Sequence, residues 1–278
     1  MNGIVVDRDL CTRCGTCSTV CPSRIISAAG TADIPHVPIE AAARCNRCGH
    51  CEAFCPTGAL SAGSDEGTGG AAAGGIDSDL LGRYIKSRRS VRHYTSDPVD
   101  RETIEEILDI ARYAPSGMNL QPVQWLVVDD AGRVHEIARF TVDWMRSLAA
   151  SGHPLGTYGA PLIAAWDAGI DRICLGAPHL LIAHIPAGPT GPTDAAIAMT
   201  HVDIVAPAFG VGTCWAGFVS MAAQTWKPLK DALPLPAGRT VAYAMMFGYP
   251  RYAVHRIPPR KAARISWWTA EGIEGGEP

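Results

Sequence analysis

The stretch that decides the fold of the first part of the chain is CTRCGTCSTVCP, residues 11–22, and its spacing returns in CNRCGHCEAFCP, residues 45–56. Both copies have the form C-x2-C-x2-C-x3-C-P. Eight of the ten cysteines lie in them: Cys11, Cys14, Cys17, Cys21, Cys45, Cys48, Cys51 and Cys55. Three thiolates spaced in this way along a tight loop can converge on one centre, whereas the fourth is carried away from it. The spacing therefore predicts two centres that share ligands between the copies.

This run resembles the one with which bacterial two-cluster ferredoxins hold 4Fe-4S clusters. The resemblance implies one cluster on Cys11, Cys14, Cys17 and Cys55, and a second cluster on Cys45, Cys48, Cys51 and Cys21. A structural zinc site would need only four sulfur ligands, which is fewer than the two runs supply. Disulfides would require a secreted chain, and residues 1–9 lack the basic start and the apolar run of a signal peptide.

Length, composition and charge limit the number of domains and the classes of partner that the chain can have. With 278 residues, 47% of them apolar, it can form one small and one mid-sized domain. A net charge of −3 predicts no attraction to nucleic acid or to anionic membranes. Residues 204–226 carry no charge, but Pro207 and three glycines interrupt them, which favours a buried helix and turn over a membrane span. Cysteines committed to clusters predict a cytoplasmic location.

A change in composition divides the chain into two domains. Residues 1–62 are expected to form the ferredoxin-like domain, with residues 3–6 and 57–62 pairing as short strands. Residues 63–79 are rich in glycine and alanine, which is typical of a flexible linker. Residues 80–278 are expected to form the larger domain.

Apolar periodicity predicts the elements of the larger domain. Helices are expected at residues 99–113, 133–150, 194–210 and 222–233, and buried strands at residues 124–128, 179–184 and 240–247. Asp100 is the expected N-cap of the first of these helices. Helices that interleave with buried strands predict an α+β or α/β class.

Four patches in the larger domain carry groups suited to a cofactor. Residues 88–92, RRSVR, offer guanidinium groups and a hydroxyl for a phosphate and a polyol. Residues 114–122, APSGMNLQP, form a turn whose hydroxyl and amide groups can contact the edge of a heterocycle. The glycines of residues 210–218 allow a planar ring to approach the backbone, and residues 258–261 add a basic pair. Taken alone, residues 88–92 also fit a solvent-exposed basic face, and residues 114–122 also fit an ordinary loop that ends a helix.

In their order and spacing these patches resemble the FMN-dependent nitroreductase family. Over its full length the chain resembles the ferredoxin-fused members, which are common in anaerobic bacteria and archaea. The motifs that carry the resemblance are RRSVR, APSGMNLQPVQW, DAAIAMTHVDIVAPAFGVGTCWAGF and FGYP with the later basic pair. It implies an α+β chain in which the dicluster ferredoxin-like domain is joined to a nitroreductase-like α/β domain. That domain would have a central mixed sheet flanked by helices and form a homodimer with FMN at the subunit interface.

The resemblance also implies which residues contact FMN. Its phosphate and ribityl chain would be held by Arg88, Arg89, Ser90, Arg92, Arg260 and Lys261. The flavin would be lined from the second subunit by Pro115, Ser116, Asn119 and Gln121. Backbone groups of Ala216 and Gly217 would face the reactive N5. Some members of the family have a glutamate where this chain has Ala216, so any role of that carboxylate is absent here.

Other positions receive structural or substrate assignments. Helix 194–210 would be dimer core, with His201 as a satisfied core histidine. Cys174 and Cys214 are expected to be buried structural cysteines. A substrate lid would lie in residues 141–176, where the candidate pocket residues are Trp144, His153, Tyr158 and Trp166.

The two domains together predict an oxidoreductase. A low-potential donor, such as a reduced ferredoxin or flavodoxin, would load the clusters, which would reduce FMN. FMN would then reduce a small nitroaromatic, quinone or enone, and at least one cluster should lie near an FMN. Three alternatives stay open: the reverse flow, in which FMN oxidises a substrate or NAD(P)H and the clusters export electrons; a non-catalytic redox sensor or relay; and a specialised flavin enzyme that no longer reduces nitro groups. The sequence names neither substrate, direction of flow nor proton donor.

Overall fold

The computed structural model describes residues 4–27, 33–62, 74–188 and 191–275. Most of the predicted linker, residues 63–73, lies outside this described part of the chain. The first 62 residues and the residues after 77 each have their own helices, strands and core clusters. The exact domain boundaries stay a prediction.

The two cysteine runs fold in the same way. Each leads into a short helix, α1 (Thr16–Val20) or α2 (His50–Ala53), and each helix is preceded by a left-handed glycine, with φ of 75° at Gly15 and 71° at Gly49. The arginine before the second cysteine of each run is also left-handed, with φ of 58° at Arg13 and 51° at Arg47. The repeat in sequence is therefore a repeat in backbone conformation.

The ends of this small domain pair as the sequence predicted. Strand β1 (Val5–Val6) is antiparallel to β2 (Leu60–Ser61). A 3-10 helix, Ile39–Arg44, joins the two runs. The core cluster of buried side chains is small, and its members among the described residues are Cys17, Ile25, Ile26, Ala41 and Leu60. A core this small gives the domain little hydrophobic stabilisation of its own.

A four-stranded sheet forms the centre of the larger domain. Its strands are β3 (Gln124–Val128), β4 (His179–Pro186), β5 (Gly212–Trp215) and β6 (Arg239–Gly248), in the order β3-β4-β6-β5. All three neighbouring pairs are antiparallel. An isolated parallel bridge between Ser90 and Thr213 lies at the free edge of β5, outside the four named strands.

Helices cover both faces of this sheet. One face carries α5 (Ala131–Ala150), α6 (Pro154–Asp167), α8 (Gly217–Thr225) and α9 (Lys227–Ala232). The other carries α4 (Arg101–Ala111) and α7 (Pro192–Val205), whereas α3 (Ser78–Ser87) precedes them in the chain. Successive side chains of β4 pack on opposite faces of the sheet. Leu180 and Ile182 pack with α5, α6, α8 and α9, whereas Leu181 and Ala183 pack with α4 and α7. This alternation is the period-two pattern of a strand buried on both faces.

Several predicted elements are confirmed. Strand β3 has the predicted bounds. Helix α4 begins after Asp100, whose side chain accepts a hydrogen bond from the Thr103 N–H. Helix 194–210 is shorter than predicted, because α7 ends at Val205 and a 3-10 turn, Ala206–Phe209, leads to the left-handed Gly210.

Other predictions were wrong or incomplete. The single helix expected at residues 222–233 is two helices, because Trp226 is extended and Pro228 lies in the first turn of α9. Helices α3 and α6, strand β5 and a terminal hairpin of β7 (Trp267–Thr269) and β8 (Gly272–Glu274) were not predicted. No helix in the described residues is long and apolar enough to cross a membrane.

A buried histidine ties the entry of α4 to the sheet. The Val99 N–H donates to His179 Nε2 at 2.9 Å, so the neutral ring carries its proton on Nδ1, which lies 3.3 Å from Asp129 Oδ1. Burial lowers the pKa of His179 below its usual value, and the nearby carboxylate of Asp129 opposes this only in part.

This histidine predicts a loss of stability in weak acid. The unfolded ring has a pKa of about 6.5, and the folded ring a lower one. The stabilisation is therefore complete above the unfolded pKa and is lost as the pH falls below it. Chemical denaturation at several pH values should show a steeper loss in the parent chain than in His179→Gln. The exposed His255→Gln should behave like the parent, and equal pH slopes in all three chains would contradict the assignment.

Candidate functional site

The eight repeated cysteines surround two separate cavities. One cavity is lined by Cys11, Cys14, Cys17 and Cys55, and the other by Cys21, Cys45, Cys48 and Cys51. The fourth cysteine of each run thus lies with the first three cysteines of the other run. These are the two groups that the sequence predicted as ligand sets, and the cluster assignment itself remains a prediction.

The thiol groups suit a cluster better than a single ion. In the described part of the chain, no three His, Cys, Asp or Glu side chains are close enough to hold one metal ion. Burial raises the pKa of Cys51 to about 11, whereas a hydrogen bond with Thr16 lowers the pKa of Cys14. Binding to iron would deprotonate all of these thiols.

The RRSVR segment is fixed to β5 and α7. The Val91 N–H donates to the Thr213 carbonyl at 2.8 Å, beside the bridge between Ser90 and Thr213. The Arg88 guanidinium contacts Asp203 Oδ2 at 3.2 Å, and Arg92 Nη1 donates to the Ser90 carbonyl at 3.4 Å. The segment therefore presents its cationic groups from a backbone held against the sheet edge.

Asp203 is a site residue that the sequence analysis did not single out. Its buried carboxylate accepts hydrogen bonds from the Thr213 hydroxyl and from Trp215 Nε1 in addition to its contact with Arg88. One carboxylate thus joins α7, β5 and the arginine segment. The available signal was an acid far inside a mostly apolar helix, since buried charges are normally paired.

The remaining predicted phosphate ligands are not gathered with Arg88. Arg260 and Lys261 lie in an exposed segment without regular structure after β6. The Arg89 guanidinium makes no hydrogen bond or ion pair with the described residues. Among the described residues, no hydrogen bond or ion pair joins the late basic pair to the RRSVR segment, and the roles of Arg89, Arg260 and Lys261 stay predictions.

The predicted flavin loop, residues 115–121, is a strained and well-anchored turn. Three residues that are not glycine have left-handed backbones, with φ of 52° at Met118, 54° at Asn119 and 47° at Gln121. The Gln121 N–H donates to Ser116 Oγ at 3.0 Å, and the Gly117 N–H donates to Asp194 Oδ1 at 3.0 Å. Strained backbone of this kind persists where surrounding contacts determine it and is often found at functional sites.

This loop lies far from the arginine segment of the same chain. The loop is fixed to Asp194 in the first turn of α7, whereas Arg88 is fixed to Asp203 in its last turn. Asp203 is nine residues after Asp194 along the helix, which is about 13 Å along the axis. The two predicted halves of the FMN site are therefore anchored about two and a half helical turns apart within one chain.

Ala216 and Gly217 form the open entry of α8. Ala216 is buried, and its N–H donates to the Ala244 carbonyl at 2.8 Å. The Ala216 carbonyl accepts from the Ser220 hydroxyl at 3.0 Å. Gly217 is exposed, and a Cβ added there would have no atom within 4 Å. The N–H groups of this first helical turn have no acceptor within the helix, and the open space beside Gly217 leaves room for a planar group.

The candidate pocket residues of 141–176 have packing or capping contacts. Trp144 is buried in the core, and Trp166 stacks on His135 with ring centroids 4.7 Å apart. His153 caps α6 by accepting from the Leu155 N–H at 3.2 Å. Tyr158 is 71% exposed, and its ring centroid is 6.5 Å from that of Phe218, next to the Gly217 opening. Of the four, Tyr158 remains available to a ligand there.

The three remaining residues with structural assignments are partnered or buried. Cys174 and Cys214 are buried, and burial raises the pKa of both thiols. His201 is half-buried, with its Nδ1 2.9 Å from the Ile197 carbonyl. These observations agree with the predicted structural roles.

Loss of the Asp203 carboxylate should destabilise the larger domain. Asp203→Ala leaves Arg88 and the two hydrogen-bond donors without their acceptor, and because Arg88 is partly exposed we expect a cost of about 2 kcal/mol. The matched control Asp231→Ala removes an exposed pair with Lys227, which should cost under about 0.5 kcal/mol. Urea denaturation measures both. Equal effects of the two substitutions would show that the Asp203 contacts add no stability.

Both parts of the chain match known protein families. The nitroreductase family matches residues 85–249, and the 4Fe-4S dicluster domain matches residues 10–60. A Bacillus subtilis protein named FMN reductase (NAD(P)H) is 28% identical over 174 residues, which are 60% of this chain and 65% of the relative. Nitroreductase NfnB of Mycolicibacterium smegmatis is 28% identical over 170 residues, covering 51% and 73% of the two chains.

A solved structure supports the same fold. A nitroreductase with bound FMN from Bacteroides fragilis matches with a TM-score of 0.53 and 21% identity, over 66% of this chain and 96% of that one. At this identity the likeness supports the fold alone. The family match covers more than half of the chain. The chain therefore belongs to the nitroreductase family of oxidoreductases and carries a 4Fe-4S dicluster ferredoxin domain ahead of its nitroreductase domain.

Proposed function

We propose that the protein passes electrons from a low-potential donor through two 4Fe-4S clusters to FMN, for the reduction of a small electron-poor substrate. The observation that carries this proposal is the arrangement of eight cysteines, four around each of two cavities, in one chain with a nitroreductase domain. A nitroaromatic, a quinone or an enone is the expected substrate class. A reduced ferredoxin or flavodoxin is the expected donor.

The residues around β5 suit FMN by their chemistry. Arginine has five N–H donors, so Arg88 keeps donors for a phosphate while Asp203 holds one of its nitrogens. Ser90 and Arg92 extend this donor set, and the open backbone at Gly217 leaves space for a planar ring. Bound FMN would supply hydride transfer from its N5. The protein groups would orient the cofactor and neutralise its phosphate.

A homodimer would complete this site. The loop at residues 115–121 and the arginine segment are anchored to opposite ends of α7, so the loop of one chain would line the FMN held by the other. Large apolar side chains are exposed between residues 252 and 273, where a partner could cover them: Tyr252, Val254, Ile257, Ile265, Trp267, Trp268 and Ile273. Exposed apolar surface of this extent is typical of an interface.

The reverse flow is the second candidate. Relatives named FMN reductase (NAD(P)H) and NADH dehydrogenase favour a nicotinamide as the reductant of FMN. In that case electrons would leave the protein through the clusters. Both candidates use the same residues and cofactors, so only the reductant separates them.

Iron content tests the cluster assignment. The parent chain, prepared without oxygen, should contain about eight iron atoms, as two 4Fe-4S clusters require. Cys48→Ser should lose about half of this iron or more, because one ligand set is broken. The buried Cys174→Ala serves as the matched control and should keep all of it. Iron and sulfide analysis measures the result, and an iron content unchanged by Cys48→Ser would contradict the assignment.

An anaerobic reduction assay tests the direction of flow. Reduced ferredoxin or viologen should bleach the cluster absorbance and then reduce FMN and a nitroaromatic, whereas NAD(P)H should not. Absorbance at the cluster and flavin bands is followed over time. Fast reduction of FMN by NAD(P)H, followed by cluster reduction, would establish the reverse flow. Clusters that no reductant weaker than dithionite can reduce would refute the proposed direction.

A further inference from the structure

A direct contact joins the ferredoxin domain to the predicted flavin loop. Asn119 Nδ2 donates to the Asn46 carbonyl at 3.0 Å and to the Arg47 carbonyl at 2.9 Å. Both acceptors lie between Cys45 and Cys48, within the second cysteine run. The side-chain amide of the flavin loop therefore donates hydrogen bonds to two consecutive backbone carbonyls of the second cysteine run.

We infer that Asn119 is a positioning residue that docks the second cysteine run onto the flavin loop. The cluster held by Cys21, Cys45, Cys48 and Cys51 is then the one that exchanges electrons with FMN. The inference rests on the proposed function for its electron-transfer part, whereas the docking itself rests only on the observed contacts.

The chemistry of Asn119 suits this task. Its amide nitrogen has two N–H groups for the two carbonyls, and its Oδ1 accepts from Gln121 Nε2 at 3.2 Å. Asparagine also tolerates the left-handed backbone found here, with φ of 54°. Both the nitrogen and the oxygen of the Asn119 side-chain amide are therefore held by hydrogen bonds.

Both partners of the contact are themselves held in place. The flavin loop is anchored to Asp194 and braced by Ser116. On the other side, the left-handed Arg47 lies in the tight turn between Cys45 and Cys48, and the turn leads into α2. A contact between two braced turns can fix the distance between the groups that they carry.

The first cysteine run provides an internal comparison. Thr12 and Arg13 occupy the positions of Asn46 and Arg47, with the same left-handed arginine. Within the described chain, Thr12 and Arg13 make no hydrogen bond to residues 74–275. The two runs are alike in backbone conformation but only the second one is docked. The cluster of the first run is therefore the one left to meet an external donor.

The electron path balances as follows. An external low-potential donor, such as a reduced ferredoxin, would give one electron at a time to the first cluster. Each electron would pass from there to the second cluster and then to FMN, and two such transfers, with protons from solvent, would complete the reduction of one FMN. Because the transfer rate falls steeply with distance, a loss of docking should slow this step without changing either cofactor.

The variant Asn119→Asp tests the docking. It keeps the side-chain size and the tolerance for a left-handed backbone but places a carboxylate against two carbonyl oxygens. The matched control is Asn46→Asp, which adds the same charge at the same contact while the Asn46 carbonyl and the Asn119 amide stay in place. Both variants are prepared as full-length protein with FMN and iron, and their cofactor contents are measured first.

Two measurements give the result. Hydrogen–deuterium exchange in peptides covering residues 44–49 and 116–121 should be about tenfold faster in Asn119→Asp than in the parent, since two hydrogen bonds are lost, and unchanged in Asn46→Asp. After flash reduction of the clusters, the rate of FMN reduction is divided by the rate of direct chemical reduction of FMN in the same variant. This ratio should fall by about the same factor in Asn119→Asp alone.

The outcomes separate the inference from the proposed function. Unchanged exchange in Asn119→Asp would overturn the docking even if the clusters reduce FMN normally. Faster exchange with an unchanged rate of FMN reduction would overturn the assignment of the second cluster as the electron partner. If the clusters of the parent protein never reduce FMN, the proposed function fails, and the exchange experiment still decides the docking.

Discussion

The larger domain depends on one buried carboxylate at the end of α7. Asp203 contacts Arg88 and accepts from Thr213 and Trp215, so it joins three segments that are far apart in sequence. A buried charge without partners would cost several kcal/mol. The protein meets this constraint by bringing the arginine segment to the edge of β5. The position of the predicted phosphate site is therefore a consequence of how one buried charge is satisfied.

Helix α7 also sets the spacing between the two halves of the predicted flavin site. Asp194 holds the 115–121 loop at its start, and Asp203 holds the arginine segment at its end. A rigid helix does not shorten, so the two anchors stay about 13 Å apart along its axis. In the proposed homodimer, this spacing would set where the loop of one chain meets the arginine segment of the other.

The sequence was informative where local chemistry decides the structure. The cysteine spacing indicated the two groups that line the two cavities, and the cap at Asp100 indicated the start of α4. It failed where neighbours far along the chain decide. Strand β5 lies within a long uncharged run that shows no period, and Trp226 interrupts what reads as one helix. Asp203 could not be assigned because its partners are found only after folding.

The contact of Asn119 with the second cysteine run is another feature that depends on residues far apart in the chain. Its two partners lie 73 and 72 residues earlier in the chain, across a linker whose composition suggests no fixed geometry. The length of such a linker bounds the reach of the small domain but not its orientation. The contacts of the Asn119 amide supply a specific orientation. Because electron transfer needs a short and reproducible distance, this contact would give the clusters a defined point at which to deliver electrons.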